Sequence, residues 1–193
     1  MSNELLFVII ALAGMLGAVC FYKLGRFWLT AYVPVLLISA NLTAPKAFLF
    51  FGFHITPGTA LFAALMFSTD MLAERYGRRV AVRAVWIGFV LQAIFVAFAY
   101  SVTLFDPAPF AEEIGGDIDA TLTGSLRTMS ASLAAYIIWA TYDVFIYDLI
   151  HKKTGEKWLW LRNNFSTMTS NAGGAFTFFF LAFYGIAPDW VGM

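Results

Sequence analysis

Three carboxylates, Asp70, Glu74 and Asp143, fall inside stretches of the 193-residue chain that are otherwise apolar. A carboxylate placed in hydrocarbon costs about 3 kcal/mol on insertion scales, so each of these needs a partner or a wet cavity. Asp70 and Glu74 are four residues apart and share one helix face. One account is structural: Asp70 pairs with a neighbouring arginine such as Arg83, Glu74 reaches out to the interface, and Asp143 joins an ion pair at a helix end near Asp148. The other makes the same groups the polar floor of a ligand site. A second polar concentration runs from Asn164 through Ser166, Thr167 and Ser170 to Asn171, followed by Ala172-Gly173-Gly174 and a Phe-rich half. A polar, glycine-broken half-helix resembles the discontinuous segments that line transporter sites, and predicts an interruption at Gly173 and Gly174. Close helix packing through small residues is the competing account. On the site reading, Asp70 and Asn171 face a common cavity. Asn41, ahead of Pro45 and Lys46, adds an amide that offers both donor and acceptor. Trp86, Trp139 and Tyr142 are the aromatics best placed to stack on a planar ligand.

No nucleophile, base and orienting group can be assembled from these residues, so no enzyme chemistry is expected. Cys20 is the one cysteine and His54 and His151 the two histidines, which leaves no metal-ligand set and points to no cofactor.

These residues must be positioned by membrane helices. The chain is 61% hydrophobic and only 12% charged, about half the charge of an ordinary soluble domain. Its zero net charge and lack of a basic block exclude a nucleic-acid partner. A bilayer core asks for about 20 apolar residues per helix. Six spans meet that requirement, near residues 5 to 22, 27 to 44, 58 to 75, 82 to 104, 126 to 150 and 164 to 186. The first lacks a preceding Lys or Arg and a small-residue cleavage site, so it stays as an anchor. Ten of the twelve Lys and Arg residues fall in the odd connections, which places those in the cytoplasm and both termini outside. The acidic fourth connection, with Asp106, Glu112, Glu113, Asp117 and Asp119 among prolines and glycines, is then an external solvated loop of low order. Residues 47 to 55 are apolar, bounded by Pro45 and Pro57, and too short to cross; a re-entrant or interfacial hairpin fits them. The fold class is therefore an all-α integral membrane protein, a six-helix transmembrane bundle forming one domain over 1–193. Its expected partners are the lipid bilayer, a small-molecule ligand and, as an open option, a second copy in a homodimer.

Several of these residues resemble the vitamin uptake transporter family, also called queuosine precursor transporters. The resemblance runs through Ala40-Asn41 with Lys46, Thr69-Asp70 with Glu74-Arg75-Tyr76-Gly77, Trp86-Ile-Gly-Phe89, Tyr142-Asp143 and the stretch from Lys153 to Thr167. It covers roughly residues 27 to 186, leaving 5 to 22 as an extra first helix. It implies a helix bundle in the inner membrane that takes up 7-deazaguanine precursors of the tRNA base queuosine. Such a base has a guanine-like edge of donors beside an aromatic plane, to which Asp70, Asn41, Asn171 and a stacking ring are suited. Where the family's last motif reads Ser-Gln and then Asp three residues on, this chain has Ser170-Asn171 and Gly174. That departure, and an end soon after the sixth span, keep a second class open: a ligand-binding membrane sensor module of a longer signalling protein.

Overall fold

The computed structural model describes residues 2–44, 46–155 and 157–184. Among them are six α-helices: α1 (Asn3–Leu24), α2 (Arg26–Thr43), α3 (Pro57–Tyr76), α4 (Arg78–Val102), α5 (Glu112–Thr154) and α6 (Leu159–Phe183). The apolar spans read from the sequence match these helices to within a few residues, except that α5 begins well before 126. Local chemistry sets the ends. Ser2 caps α1 by accepting from the Leu5 amide at 3.3 Å, and Pro57 opens α3, where its missing N–H costs nothing. Gly25 and Gly77, at φ +114° and +84°, each turn the chain between consecutive helices in a single residue.

These tight links make α1, α2, α3 and α4 run up and down, with α1 against α2 and α3, and α2 against α3 and α4. α5 then packs on α4 and, most extensively, on α6. The core joining them includes Leu29, Val33, Leu37, Leu65, Met66, Leu72, Val85, Tyr136 and Val144. The outer surface carries Leu12, Leu16, Val35, Phe98, Ile138 and Phe176 exposed, while Asp70, Gln92, Asp143, Arg162, Ser166 and Ser170 are buried. Apolar residues outside and polar ones inside is the reverse of a water-soluble globule, and it is what lipid requires. By length and composition, α1, α4 and the segment containing α5 are able to cross a membrane. α3 and α6 are diluted by Ser68, Thr69, Asp70 and Glu74, and by the Asn, Ser and Thr run from 163 to 171.

Two expectations change, and the hairpin expected over residues 47 to 55 takes a β form. The acidic fourth connection is not a loose loop throughout: after a 3-10 turn at Pro109–Ala111, Glu112 and Glu113 form the first turn of α5, where carboxylates complement the helix dipole. At 43 residues α5 is about 64 Å long, roughly twice a hydrocarbon core, so its acidic end projects well past the bundle. Residues 48–55 form a β-hairpin, β1 (Phe48–Phe50) antiparallel to β2 (Phe53–Ile55), turning through Phe51 and Gly52 at positive φ of 47° and 88°. Its Phe48 and Phe50 rings meet Phe7 of α1 at 6.0 and 5.0 Å between centroids.

The second change is at the glycines. α6 is continuous through Gly173 and Gly174, so the interrupted helix expected there does not form. The Trp139 indole of α5 lies directly over Gly173, and its Nε1–H donates to Thr177 Oγ1 at 2.9 Å. Close packing under Trp139 therefore accounts for Gly173. The two positions separate experimentally. A methyl group at 173 would overlap the indole ring, whereas one at 174 would meet its nearest atom, Trp139 Cβ, at 3.7 Å. Gly173→Ala is expected to lower the thermal midpoint of detergent-purified protein by the equivalent of about 1–3 kcal/mol, and Gly174→Ala to leave it near wild type. Equal effects at both positions would contradict this packing.

Candidate functional site

α3, α5 and α6 bring the carboxylates together with the hydroxyl run. Asp70 of α3 and Asp143 of α5 are 5% and 0% exposed and lie within hydrogen-bonding reach of each other. Thr167 and Ser170, one turn apart on α6, each serve one of them: Thr167 Oγ1 donates to Asp70 Oδ2 at 3.3 Å and Ser170 Oγ to Asp143 Oδ1 at 2.9 Å. Ser166 is also buried and within reach of Asp143. The remaining oxygens, Asp70 Oδ1 and Asp143 Oδ2, are buried with no donor among the described residues. No cation pairs with either carboxylate among those residues. Arg83 is exposed, so the expected Asp70–Arg83 bridge is absent. Asp148 takes Arg78 at 3.6 Å and Lys152 at 2.8 Å, while Asp143 faces inward, which removes the helix-end ion pair expected for it.

Asp70 also lines a cavity of about 200 Å³ between α1, α3 and α6, bounded by Met15, Ala63, Phe67, Asn163, Asn164, Thr167 and Met168. Its walls are aromatic and thioether, with polar groups on one side, the usual composition of a small-molecule pocket. Asn164 reaches it from an exposed position while its Nδ2 donates to the Trp160 carbonyl at 2.8 Å.

One turn from the carboxyl pair, on the same faces of α3 and α5, are Glu74 and Tyr147. The expectation that Glu74 reaches the interface is replaced by an ion pair with Arg162 of α6, at 2.5 Å, and a hydrogen bond from the Tyr147 hydroxyl. Arg162 is 1% exposed; its Nε donates to the Tyr147 hydroxyl at 3.2 Å and its Nη1 to the Gly155 carbonyl at 2.9 Å. A single guanidinium thus ties α3, α5 and the α5–α6 turn together. By sequence Arg162 is one of the ten cations of the odd connections; the signal that could have set it apart is its position directly ahead of the polar run.

Not every candidate joins this cluster. Asn171 is exposed on α6 and is not among the residues lining the cavity that Asp70 reaches. Asn41 is buried elsewhere, donating through Nδ2 to the Leu37 carbonyl at 3.1 Å and to Gln92 Oε1 at 3.3 Å. Among the aromatics, Trp86 is half exposed on the outer surface, and Trp139 packs on α6 with Tyr142 edge-on to it. The ring at the cavity is Phe67, which sequence reasoning missed because nothing distinguishes it from its apolar neighbours.

Chemically, the site is a buried carboxyl pair with one oxygen apiece that no described residue donates to, held by hydroxyls, with Asp70 reaching an apolar-walled cavity. Among the described residues no cluster of His, Cys, Asp and Glu could hold a metal ion.

Residues 56–193 match the family model described as "Putative vitamin uptake transporter". The chain is 33% identical over 191 residues to the "Probable queuosine precursor transporter" of Bacillus subtilis (strain 168), covering 97% of this chain and 82% of that protein. It is 26% identical over 168 residues to the "Queuosine precursor transporter" of Escherichia coli (strain K12), covering 87% and 72%. No solved structure matches it.

Proposed function

The chain belongs to the vitamin uptake transporter family, and on that premise we propose that it carries a 7-deazaguanine precursor of queuosine across the inner membrane. The observation that carries this reading is the buried Asp70–Asp143 pair, in which Asp70 Oδ1 and Asp143 Oδ2 have no donor among the described residues, with Asp70 also lining a cavity. A guanine-like edge presents a ring N–H beside an exocyclic amino group, two donors pointing the same way. Such an edge is suited to carboxylate acceptors, and a hydrogen bond to a charged acceptor contributes about 1.5–3 kcal/mol. Phe67, Met15 and Met168 supply the apolar surface for the ring plane.

In this reading the ligand-facing residues are Asp70, Asp143, Asn164, Ser166, Thr167 and Ser170, and Glu74 positions them through Arg162. All six helices span the bilayer as one domain: α2, α3 and α6 are lowered in hydropathy by polar residues, of which Asn41, Ser68, Thr69, Asp70, Ser166 and Ser170 are buried inside the bundle. Ten of the twelve Lys and Arg residues gather at the Glu74–Arg162 end, which supports a cytoplasmic placement for it and an external one for the hairpin. Both relatives named above are transporters, which favours transport over a sensor module.

Expression in cells lacking their own importer tests the proposal. Wild-type protein is expected to restore uptake of labelled 7-deazaguanine above the empty-vector rate; unchanged uptake with well-inserted protein would contradict it.

A further inference from the structure

A second group of buried polar side chains lies apart from the carboxyl pair, where α2, α4 and α5 meet. Gln92 of α4 is 0% exposed, Tyr136 of α5 is 1% and Asn41 of α2 is 7%. Gln92 Nε2 and the Tyr136 hydroxyl both have no hydrogen-bond partner among the described residues. Orphaned polar groups in a packed interior destabilise the fold, so their retention asks for a reason.

Their arrangement is specific. Asn41 spends its amide hydrogens on the Leu37 carbonyl and on Gln92 Oε1, which fixes the Gln92 carboxamide with its own donors unmet. The Tyr136 hydroxyl rests over the bare backbone of Gly88, where a methyl group would come within 2.8 Å of it. Gly88 is one turn from Gln92 on α4, so both orphaned groups address the same face. Tyr136 precedes Asp143 by seven residues on α5, two turns toward the hairpin end, which puts this cluster about 10 Å from the carboxyl pair. The two clusters are opposite in character: carboxylate acceptors at one, amide and phenol donors at the other.

Building on the transport reading, we propose that Asn41, Gln92 and Tyr136 form a second polar station for the same planar heterocycle, nearer the hairpin end, where donors meet its ring carbonyl. At about 10 Å the two clusters are too far apart to hold one bicyclic base together, so the base occupies them in turn. A guanine-like ring carries an acceptor and donors on adjoining positions, and the donor station and the acceptor pair each read one of these.

Gln92→Leu and Tyr136→Phe remove the orphaned groups while keeping most of the side-chain volume. Kinetics of labelled 7-deazaguanine uptake and thermal midpoints of the purified variants are measured together. The expected result is a KM raised at least about tenfold in each variant with the thermal midpoint unchanged or higher, since an unsatisfied group has been removed. A KM within twofold of wild type overturns the proposal. So does a lowered midpoint with uptake falling only in proportion to the amount of folded protein, which would mean that trapped water satisfies these groups in a structural role. Uptake by wild type with unaffected variants contradicts this station alone. Absence of uptake by folded wild-type protein contradicts the transport reading and the station with it.

Discussion

Asp70→Asn is expected to reduce uptake of labelled 7-deazaguanine about 100-fold while leaving a folded protein with an unchanged or raised thermal midpoint. The reasoning turns on what the amide does to its neighbour. Asp70 and Asp143 lie within hydrogen-bonding reach of each other, and each keeps one buried oxygen to which no other described residue donates. Asparagine has the same shape and brings an N–H to that gap, so it can satisfy Asp143 Oδ2 internally. The ligand's donors then lose both a charged acceptor and the space to reach the second one. Truncating one side of a buried, charge-assisted contact costs about 2–5 kcal/mol of binding, of which about 2.7 corresponds to 100-fold. Stability has no reason to fall, because no cation is left unpaired: none contacts Asp70 among the described residues. Uptake assays and thermal unfolding on the same preparation check this. Retained uptake with a collapsed midpoint would instead make Asp70 a structural residue.

Arg162→Ala is expected to do the opposite, lowering stability first. The guanidinium makes contacts to Glu74, Tyr147 and Gly155, and it is almost wholly buried. Its loss leaves Glu74 and the Gly155 carbonyl short of donors and unpins the α5–α6 turn. Breaking a fully buried pair costs about 3–5 kcal/mol, and because the Glu74 side chain stays 33% exposed a discounted cost of about 2–3 kcal/mol is appropriate. Arg162→Lys is expected to recover little, since one ammonium cannot make the same fork. The double substitution Glu74→Leu with Arg162→Leu is expected to be more stable than Arg162→Ala, because it leaves no charge stranded. Thermal midpoints in one detergent rank the three. A wild-type midpoint for Arg162→Ala with uptake lost would place Arg162 against the ligand.

The helices were legible because lipid imposes a simple rule: about 20 apolar residues, then a break. The same rule, read in reverse, picked out Asp70 and Asp143, since each is too costly in hydrocarbon to be incidental, and Thr167 and Ser170 came in with the polar run from 164 to 171. Other features depend on partners far along the chain. Gly173 and Gly174 look alike in sequence, yet only Gly173 lies under Trp139, 34 residues away on a different helix. Arg162 is 88 residues from Glu74, and a cation near a charged connection gives no local sign of turning inward. Gln92 and Tyr136 are single polar residues in apolar runs, where an amide or a phenol at an interface is ordinary; only burial without a partner marks them. The early start of α5 was hidden because acidic residues and glycines read as a loop, although carboxylates in a first turn also favour a helix.

The most direct test of the account is counterflow in proteoliposomes. Purified wild-type protein in vesicles preloaded with unlabelled 7-deazaguanine should accumulate the labelled base transiently above equilibrium, and Asp70→Asn vesicles should not. Folded, correctly inserted wild-type protein giving no accumulation above empty vesicles, or equal accumulation by Asp70→Asn, would contradict the claim that the Asp70–Asp143 pair is the site through which this chain carries its substrate.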